Sequence, residues 1–151
     1  MVRLLHQLTY PFHMSRLHSH KPSAAKAYNI VADGVHHKLS ANFTLHEMQS
    51  KDGSLALLVH PALIDGLQRL RQHFKRPVRI SSGYRTHAHN ESIGGAGQSR
   101  HLWGMAADIV VDGVEPRVVA DAAERMGFGG VGRYATFTHV DVQGKNRRWS
   151  Q

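Results

Sequence analysis

Residues 99–108 of this chain read SRHLWGMAAD. The segment places an imidazole, His101, seven residues before a carboxylate, Asp108, and the residues between them include Gly104 and two small alanines. Small residues allow a loop to fold back on itself, so both side chains can face one point. Residues 107–111 are apolar and largely β-branched apart from the carboxylate. This composition predicts that the loop runs directly into a β-strand.

A third ligand lies in residues 137–142, FTHVDV, a second run of aromatic and β-branched residues that contains His139. If this strand pairs beside the one that contains Asp108, the two histidines and the carboxylate converge. Two histidines and one carboxylate with a fourth position open are typical of a catalytic zinc site. The chain has no cysteine, so any metal must be held by His, Asp or Glu. The competing interpretation is that this spacing of His and Asp arises by chance, because the chain contains 13 histidines.

A short helix is predicted upstream, in residues 43–48, FTLHEM. Thr44 and Glu47 have capping-box spacing, and apolar residues occupy the staple positions on either side. The helix is therefore expected to start at Leu45 and to stop by Asp52-Gly53.

A longer helix is predicted to begin at Pro61, which suits a first turn, and to end before Pro77. Its apolar face comprises Leu63, Ile64, Leu67, Leu70 and Phe74. Residues 78–81, VRIS, then predict a strand.

A third helix is predicted over residues 115–127, with Gly127 as its C-terminal cap. Its apolar face comprises Val118, Val119, Ala122, Ala123 and Met126. Residues 129–132, GGVG, indicate a turn followed by a short strand, and Trp149 near the terminus is expected to seal the core. The whole pattern predicts an α+β fold in which helices pack on one face of a small, mainly antiparallel sheet.

The chain is long enough for one compact domain with a short extension. Residues 1–27 are rich in His, Lys, Ser and Pro and show no clear period. We therefore expect a linker or disordered extension there and a compact domain over residues 28–151. No run approaches 18 apolar residues, and no small-residue cleavage site follows the opening MVRLLHQLTYPFHM. We expect neither a signal peptide nor membrane insertion.

Lysine and arginine number 19 against 11 aspartates and glutamates, a formal net charge of +8. A charge of this size favours anionic partners, and an anionic cell-wall polymer is one. The alternative is a soluble basic surface without a dedicated partner. No recognised nucleic-acid-binding motif is present, so dedicated nucleic-acid binding is not expected. We expect a monomer.

The pattern Ser99-x-His101-x-x-Gly104-x-Ala106-x-Asp108, followed by residues 139–141, HVD, resembles the zinc-binding signature of the M15 peptidases. This family contains zinc D-alanyl-D-alanine carboxypeptidases and related peptidoglycan endopeptidases, including phage and prophage lysins. The likeness is to the C-terminal domain found in the first subfamily of these peptidases. Further matching segments are 43–47, 82–86, 90–96, 129–134 and 148–149. The resemblance covers roughly residues 28 to 149.

The resemblance implies a Hedgehog/DD-peptidase-like fold and a Zn²⁺ ion held by His101, Asp108 and His139. It places Arg85 beside the metal, where a guanidinium could hold a substrate carboxylate or carbonyl and offset charge on a tetrahedral intermediate. Ser99 could donate a hydrogen bond to substrate or fix the turn before His101, and Gln98 is a weaker candidate of the same kind.

The general base is where the chain departs from the family pattern. Many members carry Glu or Asp three residues before the last histidine, and this chain has Thr136 there. Asp141 lies two residues after His139, so in a strand both side chains point to the same face. It could activate water or, as we favour, orient a metal ligand.

The resemblance implies zinc-dependent hydrolysis of peptidoglycan stem peptides or cross-links, as a carboxypeptidase or an endopeptidase. The alternative is a catalytically weak zinc-fold module for cell-wall binding or phage assembly. The reason for this alternative is that Thr136 stands where many family members carry an acid. Nucleic-acid binding would rest on charge alone. The expected location is the cytoplasm until release to the cell wall, as for a phage lysin, or within a larger exported or virion assembly.

Overall fold

The structure, a computed structural model, describes residues 21–144 and 146–151. Its strands are β1 (Lys26–Asn29), β2 (Ala56–Val59), β3 (Val78–Ser82), β4 (Ala106–Val111), β5 (Gly130–Arg133), β6 (Thr138–Asp141) and β7 (Arg147–Ser150). Its helices are α1 (Ile30–Asp33), α2 (Leu45–Met48), α3 (Pro61–Phe74), α4 (His87–Ser92) and α5 (Pro116–Arg125). The described residues also form the short 3₁₀ helices η1 (Pro22–Ala24) and η2 (Arg100–Trp103).

Within the described residues, the main sheet has five strands in the order β3-β4-β6-β5-β7. Its pairings are antiparallel except that β5 and β7 run parallel. Strands β1 and β2 form a separate antiparallel pair. The predicted α+β class with a mainly antiparallel sheet is therefore confirmed.

The register of the central strands separates two faces of the sheet. Asp108 in β4 lies opposite His139 in β6, and His139 lies opposite Gly132 in β5. Successive side chains of a strand point to opposite faces. The alternate residues therefore face the other way and join the hydrophobic core: Ala107, Ile109, Val131 and Val140.

Helices α3 and α5 cover that core face. Helix α3 buries Leu63, Ile64, Leu67 and Leu70, and α5 buries Val119, Ala120, Ala122 and Ala123. All of these side chains belong to one hydrophobic cluster with the sheet. Val118 differs from its prediction, because it lies on the outer side of α5 and is 40% exposed.

The predicted helix boundaries agree closely with the structure. The capping box before α2 is present, since the backbone N–H of Thr44 donates to Glu47 Oε2 at 2.7 Å. Helix α3 begins at Pro61 and ends at Phe74, and Lys75 takes a left-handed conformation with φ of 54°. Helix α5 ends at Arg125, and Gly127 follows with φ of 83°.

Sequence reasoning missed β1, α1, β2, α4 and β7, which are short and lack a clear hydrophobic period. The expectation that Trp149 seals the core is wrong. Trp149 is half-buried on the opposite face of the sheet, where β7 places it beside Gly132. The parallel pairing of β7 with β5 determines this position, and no local pattern in the sequence reveals that pairing.

Most of the predicted extension, residues 1–20, lies outside the described residues. Its last residues include η1 and the start of β1, so the division at residue 28 stays a prediction. In the part of the chain that the structure describes, no helix is long and apolar enough to cross a membrane.

Gly104 joins η2 to β4 in a left-handed conformation, with φ of 64°. A Cβ atom there would overlap the carbonyl oxygen of Leu58 in β2. The carbonyl oxygen of Gly104 also accepts a hydrogen bond from the backbone N–H of His60 at 2.9 Å. The metal-site loop is therefore packed directly against the second sheet, and only glycine fits at its end.

Gly104→Ala is expected to lower the free energy of unfolding by roughly 3 kcal/mol, because left-handed strain adds to a clash with backbone. Gly94 is the matched control: its φ is 68° and a Cβ there would meet nothing within 4 Å. Gly94→Ala should cost only about 1 kcal/mol. Urea denaturation measures both values, and equal losses would show that the packing against Leu58 is unimportant.

Candidate metal centre

The three predicted ligands come together on the face of the sheet opposite the core. His139 Nδ1 lies 2.9 Å from Asp108 Oδ1, and His101 Nε2 lies 3.3 Å from both atoms. Ligand atoms about 2.0–2.1 Å from a tetrahedral zinc ion are roughly 3.3 Å apart. The observed separations therefore suit one ion of this size, and the donor set of two imidazoles and a carboxylate suits Zn²⁺.

His101 is held in the orientation that a metal ligand needs. It is only 2% exposed, and its Nδ1–H donates to the carbonyl oxygen of Gly83 at 2.7 Å. This bond leaves the lone pair of Nε2 pointing at the cluster. Gly83 itself lies tight against α2, since a Cβ there would be 2.8 Å from the Cα of Met48. The capped α2 turn thus supports the acceptor that orients the ring.

His139 is oriented by a carboxylate instead of a carbonyl. Its Nε2 lies 3.2 Å from Asp141 Oδ2, which leaves Nδ1 facing Asp108 and His101. Asp141 is fully buried and also accepts a hydrogen bond from Arg147 Nη2 at 2.6 Å. Gly130 makes room for it, because a Cβ on that residue would overlap Asp141 Oδ2.

Arg85 lies beside the cluster, where the sequence predicted it. Its Nη2 donates to Asp108 Oδ2 at 2.8 Å, so the ion pair engages the carboxylate oxygen that does not face the histidines. Its Nε donates to the hydroxyl of Ser82 at 2.9 Å, and its Nη1 makes a long contact of 3.5 Å with Asn90 Oδ1. The side chain is 13% exposed.

Burial and neighbouring charges set the protonation of the cluster. Burial favours the neutral form of Asp108, but the two adjacent imidazoles outweigh it and hold the carboxyl pKa far below its usual range. Burial lowers the pKa of His101. Burial also opposes charge on His139, yet hydrogen bonds to Asp108 and Asp141 outweigh it and raise the pKa. A metal cation would take the place of that proton between the same ligands.

The pKa of Asp141 is also lowered. Burial would raise it, but the hydrogen bond with His139 and the charge of Arg147 outweigh this penalty. The carboxylate is therefore ionised, and it is held behind His139 by three partners that include the backbone N–H of Gln143.

The cluster opens onto a cleft of about 600 Å³. All seven candidate residues line it: Arg85, Gln98, Ser99, His101, Asp108, His139 and Asp141. Gln98, which precedes His101 by three residues, is exposed. The hydroxyl of Ser99 accepts a weak hydrogen bond from the backbone N–H of His101 at 3.4 Å, so it contributes to the turn.

Three aromatic side chains also line the cleft. Tyr134 and Phe137 stack with ring centroids 4.2 Å apart. Trp149 Nε1–H donates to the hydroxyl of Tyr134 at 3.1 Å, and the indole lies 5.1 Å from the His139 ring. Sequence reasoning assigned none of the three to the site, although Tyr134 belongs to the GGVGRY segment that matched the family.

Thr136 does not lie in this cleft. It is exposed and lines a separate pocket with Val114 and Pro116. Among the described residues that line the cleft, the carboxylates are Asp108 and Asp141. Both are already engaged by a histidine and an arginine.

The sequence matches one family model and several known proteins. The family model described as Peptidase M15 matches residues 37–142. Peptidoglycan L,D-endopeptidase MepK of Escherichia coli (strain K12) is 35% identical over 100 residues, which are 60% of this chain and 54% of the relative. Zinc D-Ala-D-Ala carboxypeptidase of Streptomyces albus G is 34% identical over 80 residues, which are 50% of this chain and 31% of the relative.

The matched segments thus span about half or less of each of these relatives. The family model contains the full His101–Asp108–His139 cluster and covers well over half of this chain. The chain therefore belongs to the peptidase M15 family.

Proposed function

We propose that this chain is a zinc-dependent peptidase that hydrolyses peptide bonds in the stem peptides or cross-links of peptidoglycan. The observation that carries the proposal is the cluster itself: His101, Asp108 and His139 face one another at zinc-ligand separations and open onto a cleft. The names of the two relatives, a peptidoglycan endopeptidase and a zinc carboxypeptidase, supply the substrate class and the metal.

His101 Nε2, Asp108 Oδ1 and His139 Nδ1 would hold the ion. A bound zinc ion supplies Lewis acidity to the scissile carbonyl and acidifies a water molecule. The protein residues keep both rings in the metal-binding tautomer through Gly83 and Asp141. Because His101, Asp108 and His139 line the cleft, a substrate in the cleft could reach an ion that they held.

Arg85 has two proposed tasks. Its Nη2 keeps Asp108 turned so that one carboxylate oxygen faces the histidines. Among the described residues, its Nη1 makes only the long contact with Asn90, so that N–H group can still offset negative charge that develops on the substrate oxygen.

Asp141 is proposed to position His139 and not to act as the general base. It is fully buried, and its oxygens are shared among His139, Arg147 and Gln143. A base must reach the proton that it removes. The carboxylate sits behind the ring, so its effect on the reaction passes through the ligand.

A second candidate function is a zinc-binding module with little catalysis, for cell-wall binding or phage assembly. The observation in its favour is the location of Thr136, which is exposed away from the cleft and supplies no carboxylate. Mass spectrometry of muropeptides incubated with the zinc-loaded chain separates the two, since zinc binding without products would favour the module.

The biological setting belongs to the same proposal. A net charge of +8 would retain the protein on an anionic wall polymer. A role as a phage-type lysin, or as part of a larger exported or virion assembly, fits a wall-directed peptidase. Genes for lysis or tail proteins beside this one would support that role.

His139→Ala is expected to reduce zinc affinity by at least about 100-fold and to abolish release of products from muropeptides, because one of three ligands is lost. Metal analysis and mass spectrometry of digests measure the two effects. His36→Ala, which removes an exposed histidine, is the control and should bind about one zinc per chain. Activity that survives both chelation and His139→Ala would contradict the proposal.

Asp141→Asn distinguishes a positioning role from a base. We expect zinc affinity to fall about 10- to 100-fold, because the acceptor that fixes the His139 tautomer is weakened. At saturating zinc, kcat should then recover to within severalfold of the unaltered protein. Asp112→Asn, on an exposed carboxylate paired with Arg79, is the control. A zinc-saturated Asp141→Asn protein that stays inactive would indicate that Asp141 is the base.

A further inference from the structure

The cleft contains an arginine that the proposed mechanism does not use. Of the residues that the structure describes, three arginines line it: Arg85, Arg100 and Arg147. Arg85 is paired with Asp108 at 2.8 Å, and Arg147 is paired with Asp141 at 2.6 Å. Arg100 has no ion pair or side-chain hydrogen bond with any residue that the structure describes.

The environment of Arg100 leaves its guanidinium group unsatisfied. The Nε atom is buried, yet no hydrogen-bond acceptor reaches it from the described part of the chain. A buried donor without an acceptor is unfavourable, and an acceptor that arrives with a ligand removes that penalty. A guanidinium presents its N–H groups in a planar fork that matches the two oxygens of a carboxylate.

The backbone of Arg100 is fixed beside the metal centre. Its carbonyl oxygen accepts a hydrogen bond from the backbone N–H of Met105 at 3.1 Å, across the turn made by Gly104. The next residue is His101, a metal ligand, and both line the same cleft. Because Arg100 directly precedes His101 and lines the same cleft, a substrate carboxylate bound at Arg100 would belong to a residue near the peptide bond held at the cluster.

We infer that Arg100 is a specificity-determining residue that binds a free carboxylate on the substrate, namely the C-terminal carboxylate of the residue released by cleavage. The inference rests on the proposed function and names the class of peptide that the site prefers: one whose scissile bond lies next to a terminal carboxylate. Gln98 and Ser99 precede Arg100 in the chain, line the same cleft and carry hydrogen-bond donors that a substrate carboxylate could use.

The experiment compares two synthetic stem peptides that differ only at the terminal D-alanine, which ends in a carboxylate in one and a carboxamide in the other. The zinc-loaded chain should cleave the carboxylate peptide with a kcat/KM about 10- to 100-fold higher, as expected for loss of a charge-assisted hydrogen bond. Arg100→Ala should lose that factor on the carboxylate peptide, mainly through KM, and change less than about twofold on the carboxamide peptide.

Two variants control for charge and for folding. Arg117→Ala removes the same unit of charge from an exposed arginine outside the cleft and should retain the full preference for the carboxylate. Arg100→Lys keeps the charge but loses the planar fork, so it should recover only part of the preference. Zinc stoichiometry and thermal melting check that each variant is folded.

Binding provides a readout independent of turnover. In NMR titrations of zinc-loaded protein, N-acetyl-D-alanine should bind the unaltered chain at least about 10-fold more tightly than Arg100→Ala, whereas N-acetyl-D-alaninamide should not distinguish them. Equal binding and equal cleavage of both peptides by the unaltered chain and by Arg100→Ala would overturn the inference.

The failure of this inference differs from the failure of the proposed function. Cleavage of cross-linked muropeptides with no preference for a terminal carboxylate would overturn the role of Arg100 and leave the peptidase assignment standing. Absence of any cleavage, together with Arg100-independent binding of N-acetyl-D-alanine, would overturn both.

Discussion

The hydrogen-bonded pairing of β4 with β6 is the constraint on which the site depends. It sets Asp108 opposite His139, so two of three ligands are fixed by the same ladder that holds the sheet together. A slip of either strand by one residue would turn its ligand toward the core and separate the pair. The alternate residues Ala107, Ile109 and Val140 oppose such a shift, because their burial against α3 and α5 would be lost.

The third ligand reaches the sheet through a loop, and its placement needs more support. His101 is anchored at Gly83 on one side and by the tight turn at Gly104 on the other. On β5, Gly130 and Gly132 leave space for Asp141 and Trp149, since a Cβ at either position would overlap those side chains. The glycines near the site therefore serve mainly to admit other groups.

The sequence predicts the three clustered residues and the place of Asp141 beside His139, but not the group that orients His101. His101, Asp108 and His139 carry a recognisable spacing, and the helix signals at Thr44 and Pro61 are local. The acceptor for His101 is a backbone carbonyl. Every residue has such a carbonyl, so the residue type does not reveal which one is used. Trp149 depends on the parallel pairing of β7 with β5, a non-local contact whose four-residue strand has no alternating pattern.

The charges of the cleft explain why one arginine remains available. Asp108 and Asp141 are balanced by Arg85 and Arg147, so these two ion pairs together carry no net charge. A divalent cation held by His101, Asp108 and His139 therefore adds its charge without further compensation from these pairs. Arg100 adds another positive charge on the wall. A site with an excess of positive charge attracts an anionic ligand, and the attraction is strongest where water is excluded.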